Sequence, residues 1–80
     1  MSEQARARAK EQILERIIEL QVMSNDLTSE NEQFKKNLPE YTRIEAIQAI
    51  ERRMADNKDI ISDTKKDIDA LLKVIDTLSN

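Results

Sequence analysis

Histidine, cysteine, tryptophan and glycine are all missing from this sequence of 80 residues, and proline occurs once. Each absence removes a chemistry. Without histidine or cysteine there is no imidazole for general acid–base work, no nucleophilic thiol, and neither of the usual zinc ligands. Without glycine there is no phosphate-cradling loop and no residue that takes positive φ cheaply, as tight turns between strands demand. A β-rich domain is disfavoured from the start. No disulfide can staple a secreted miniature fold. The longest runs of large apolar residues are pairs, such as Ile13-Leu14, Ile17-Ile18 and Leu71-Leu72, against the ~20 apolar residues that span a bilayer. The opening MSEQARARAK leads into Glu11 and Gln12 with no apolar stretch of signal-peptide length. Together these absences predict a soluble, intracellular, cytoplasmic chain that needs no cofactor.

What is present reads as helix. Charged residues make up 36% of the chain, 13 basic against 16 acidic for a net charge of −3. Ala, Glu, Lys, Leu, Ile, Arg and Gln are abundant, as they are in long helices and coiled coils. The predicted fold class is all-α.

Periodicity gives the architecture. Ile13, Ile17, Leu20, Leu27, Phe34 and Leu38 fall on a ladder of alternating four- and three-residue steps, with Ser24 and Asn31 on its two polar rungs. A second ladder carries Ile47, Ile50, Met54, Ile61, Ile68, Leu71, Ile75 and Leu78, with Asn57 and Thr64 as polar rungs. Between them, Pro39 disfavours an α conformation at Leu38 and marks the turn. Ser2 can cap the first helix, and Thr42 with Glu45 has capping-box spacing for the second. The expectation is a single antiparallel two-helix hairpin, a coiled coil with helix one at about 3–37, a turn at about 37–42 and helix two at about 40–78. A break within Ser24–Glu32, where Ser29 and Glu32 could cap a new start, would instead give three helices, but the ladder crosses that segment without changing phase.

Folding the chain at about residues 38–40 sets Leu20 near Asn57, Ile17 near Ile61, Leu27 near Ile50 and Ile13 near Thr64. It leaves Ile68, Leu71, Leu72, Val74, Ile75 and Leu78 beside the alanines and basic residues of 5–10, uncovered from within the chain. Leu14, Ile18 and Val22 form a second stripe about 100° or more from the main seam. A lone hairpin with two apolar faces is marginal. These nine residues are therefore the candidate partner-binding set, completed to a helical bundle by self-association or by another helical subunit. Asn31 and Asn57 are candidate register-setting polar core positions. Ser24 and Thr64 are expected at a hydrated seam.

The charges suggest orientation rather than chemistry. Arg6, Arg8 and Lys10 sit where positive charge opposes the helix dipole, and in an antiparallel hairpin Asp63, Asp67, Asp69 and Asp76 come opposite. Nucleic acid is an improbable partner: basic residues number 6 against 8 acidic through Glu40 and 7 against 8 after it, and Phe34 and Tyr41 are the only aromatics for stacking. Carboxylates at helical spacing, Glu11 with Glu15 and Asp59 with Asp63, lack the histidines that di-metal bundle sites add. No catalytic or metal-binding residue and no small-molecule substrate is expected. The function predicted is protein–protein interaction through helix–helix contacts, as in an assembly factor, small chaperone or structural subunit. The alternative is a small regulator or inhibitor that docks its charged face on a protein or nucleic-acid target.

Overall fold

The computed structural model describes residues 2–79 and shows a two-helix antiparallel hairpin, α1 (Glu3–Asn37) and α2 (Ile44–Ser79), joined by a 3-10 turn at Leu38–Glu40. It is a rod of 61 × 14 × 13 Å. Among the described residues there are no strands, no positive-φ residues, and no helix long and apolar enough to cross a membrane.

Local chemistry sets the ends. Ser2, in extended backbone, accepts from the Ala5 N–H through its hydroxyl at 3.1 Å, and its carbonyl accepts from Arg6 at 3.0 Å. The hydroxyl satisfies one donor that a helix start leaves open, and the carbonyl accepts the first bond of the helix itself. Helix α1 runs unbroken through Ser24–Glu32. The Thr28 hydroxyl, which would compete with the backbone in a turn, instead donates to the Ser24 carbonyl four residues back at 2.8 Å.

The turn departs from its sequence reading in two ways. Leu38 adopts a right-handed helical conformation (φ −52°, ψ −41°) in spite of Pro39, and the chain stays helical in a tighter 3-10 winding through Glu40. Proline fits there because the first turn of a helix needs no N–H at that position. Extended backbone begins only at Tyr41. Helix α2 therefore starts at Ile44, not near residue 40, and the Ile47 N–H donates to the Arg43 carbonyl at 3.1 Å. Arg43 occupies the cap position, and Thr42 stands one residue outside it.

That extra length moves the register. Asn31 Nδ2 donates to the Met54 carbonyl at 3.1 Å, and Asn57 Nδ2 donates to Asn31 Oδ1 at 2.8 Å. Stepping outward from these ties, Leu20 comes level with Thr64, Ile17 with Ile68 and Ile13 with Leu71. The pairing is one heptad away from that expected for a fold at residues 38–40. Both ladders are preserved by such a shift, because seven residues return each side chain to the same side of the helix. The deeply buried residues are Leu20 and Ile50 together with Ser24, Asn57 and Thr64. Ser24 and Thr64 thus lie inside the seam and are not hydrated.

Candidate functional site

The register decides which apolar residues remain for a partner. Ile68, Leu71, Ile75 and Leu78, expected to be uncovered, are half-buried in the hairpin's own seam. Their cover comes from Ile17 and Ile13 and, at the open end, from Lys10 and Arg6, which continue the ladder of α1 and are themselves half-buried. Long basic side chains can lay their methylene stems over apolar surface while the charge stays wet. The identity of Arg6 and Lys10 hid this role; their spacing from Ile13 carried it.

Leu14, Ile18, Val22, Leu72 and Val74 are left outside the seam, exposed by 49, 62, 52, 45 and 44%. Leu14 lies fourteen residues before Thr28, and Leu72 fourteen after Lys58, so four turns return each to the same side of the rod. On that side Thr28, Asn31, Glu32 and Lys35 of α1 and Leu38 of the turn, with Glu51, Met54, Ala55, Lys58 and Ile61 of α2, line an open groove of about 740 Å³. Its floor is apolar, from Leu38, Met54 and Ile61, and its rim carries charges of both signs. Leu14 and Leu72 come level at the other end of this face. Ile18 follows Leu14 by one turn and, together with Val22, Met23 and Leu27, lines a shallow hollow of about 440 Å³ on the outer surface of α1, with Glu19 and Asp26 at its edge.

The opposite side of the seam is closed by polar ties. Glu30 Oε1 accepts from Arg53 Nε at 2.8 Å and from Asn57 Nδ2 at 3.2 Å. The hydrogen bond from Arg53, then that from Asn57, holds the Glu30 carboxyl below its ordinary pKa, and the same contact raises that of Arg53. Asn57, only 1% exposed, joins this pair to Asn31, and no buried side-chain nitrogen or oxygen among the described residues lacks a hydrogen-bond partner. The structure thus brings the two asparagines together. The pairing of Glu30 with Arg53 escaped the sequence reading, although each lies one step beside a seam rung, where charges reach across an antiparallel pair.

The expected attraction between Arg6, Arg8 or Lys10 and Asp63, Asp67, Asp69 or Asp76 is not realised as contact: among the described residues the ion pairs are Arg53–Glu30 and the intrahelical Arg16–Glu19. Arg6 and Lys10 are instead half-buried at positions that continue the ladder of α1. Comparison with protein-family models, curated proteins and solved structures finds no match to this chain.

Proposed function

We propose that this protein is a non-enzymatic interaction module that works by laying one long face of its hairpin against another helical surface, in the manner of an assembly factor, small chaperone or structural subunit. One observation carries the reading. Leu14, Ile18 and Leu72 form an exposed apolar cluster on the same side as the groove floored by Leu38, Met54 and Ile61, while the seam between α1 and α2 is already filled. Contiguous apolar surface of this kind on a small protein marks a contact site. The rod has no second layer of its own to cover it.

The test is circular dichroism with sedimentation equilibrium over a wide concentration range, on the full chain and on a Leu14→Glu/Ile18→Glu variant. The expected result is a helical signal and melting temperature that depend on association in the full chain, and a variant that keeps helical propensity but loses association. A fully helical monomer whose melting is independent of concentration and indifferent to the double substitution overturns the reading.

A further inference from the structure

We propose that the occupant of the grooved face is a second copy of this chain, docked about a two-fold axis parallel to the rod, so that α1 of each protomer lies antiparallel on α2 of its partner. This rests on the helix–helix reading above and goes further by naming the partner and the face. The product is a four-helix bundle in which every neighbouring pair of helices is antiparallel, the arrangement that helix dipoles and short-loop bundles favour.

Three observations support it. The first is area: a side of 61 Å by 14 Å offers a footprint on the order of 850 Å², and a standard-size interface takes about 800 Å² from each partner.

The second is complementarity. A two-fold axis along the rod keeps each level and exchanges the helices, so Leu14 meets the partner's Leu72 and Lys35 meets the partner's Glu51, each contact occurring twice. Lys35 and Glu51 rim the groove, and neither has an ion-pair partner among the described residues. A neighbour's opposite charge would fill that place. Glu11 against the partner's Asp76 is the like-charged exception, at the outer edge.

The third is charge on the other side of the rod. There the same operation would bring the exposed Met23 against the partner's Ile60, but it would also set Asp26 against the partner's Asp56, both exposed. Like charges face to face across an interface discourage that pairing.

The decisive experiment uses two exposed charge reversals, Lys35→Glu and Glu51→Lys, on the full chain. Each alone gives a rim of one sign that repels itself, whereas a mixture of the two restores opposite charges only between different molecules. Sedimentation equilibrium, with circular dichroism to verify helix content, is expected to show a dimer for the native chain. Each variant alone should have a dissociation constant raised about tenfold, and the equimolar mixture should return to native affinity. A dimer indifferent to both reversals, or a mixture no tighter than its components, overturns the proposed face. A native chain that is monomeric and weakly helical at all concentrations overturns the second copy and leaves the helix–helix reading standing; a fully helical, concentration-independent monomer overturns both.

Discussion

Asn57 Nδ2 donates to Asn31 Oδ1 at 2.8 Å across the seam of the hairpin, and Asn31 Nδ2 donates in turn to the Met54 carbonyl at 3.1 Å. Apolar rungs alone leave registers seven residues apart nearly equivalent. A slip of one heptad would separate the two asparagines by about 10 Å of helix and bury Asn57 without its partner. On this geometry the pair is expected to penalise wrong registers more than it stabilises the right one.

Replacing both residues, Asn31→Leu with Asn57→Leu, is expected to raise the melting temperature and to lose the single register. One spin label on each helix should report one distance in the native chain and several in this variant. Asn57→Ala alone should cost about 1–3 kcal/mol in urea unfolding by removing the two hydrogen bonds that the buried Asn57 donates across the seam. A neutral Asn57→Ala, or a double variant with one unchanged distance, would remove the register role.

Acid should weaken the hairpin through Glu30. Its carboxyl is depressed below 4.5 when folded, by Arg53 and then Asn57, so its contribution is fully present above the unfolded value and is lost as pH falls through the folded one. Glu30→Gln is expected to lower the urea midpoint at neutral pH, with the two proteins converging as pH falls through the lowered folded-state titration of Glu30. Parallel midpoint-against-pH curves would contradict this assignment.

Leu20 and Ile44 are both large and aliphatic, yet one is 4% exposed and the other 68%. Leu20→Ala should cost about 2–5 kcal/mol, enough to unfold an isolated hairpin, while Ile44→Ala should stay within about 0.5 kcal/mol. Thermal melts of the two variants at equal concentration separate the cases; equal losses would mean that the seam is not where the structure places it.

Thr64 donates its hydroxyl to the Ile60 carbonyl of its own helix at 2.7 Å and is 2% exposed at the level of Leu20. That carbonyl belongs to a helical turn with its own main-chain donor, so little is orphaned when the hydroxyl goes. Thr64→Val, of similar shape, should raise stability by up to about 1 kcal/mol. A loss of that size in differential scanning calorimetry would show that the hydroxyl is tied to something across the seam.

The hairpin itself was legible because two ladders of unbroken phase flank a proline, and the first crosses Ser24–Glu32 without the phase change that a third helix would bring. The register was not. Periodicity repeats every seven residues and is blind to whole-heptad shifts, so the choice fell to the link, where Leu38–Glu40 winds as a 3-10 turn and residues 41–43 bridge to α2. That local geometry turned Ile68, Leu71, Ile75 and Leu78 from candidate interface into internal seam. Leu14, Ile18, Val22, Leu72 and Val74 lie off both ladders, and their exposure follows from spacing alone in either register. The groove was hidden because it depends on which residues come level.

Among the described residues, the side-chain hydrogen bonds between α1 and α2 fall between Glu30 and Asn57, in the half of the rod next to the turn. The far half is held by side-chain packing alone, ending in the stems of Lys10 and Arg6. Closing the hairpin near its turn costs little loop entropy, and each further layer is reached through the one before it. Thermal opening runs the other way. The rod behaves as a zipper whose slider parks at the turn: fluctuations part the two chain ends first and momentarily bare Leu71, Ile75 and Leu78, while the asparagine pair keeps the teeth aligned for reclosure.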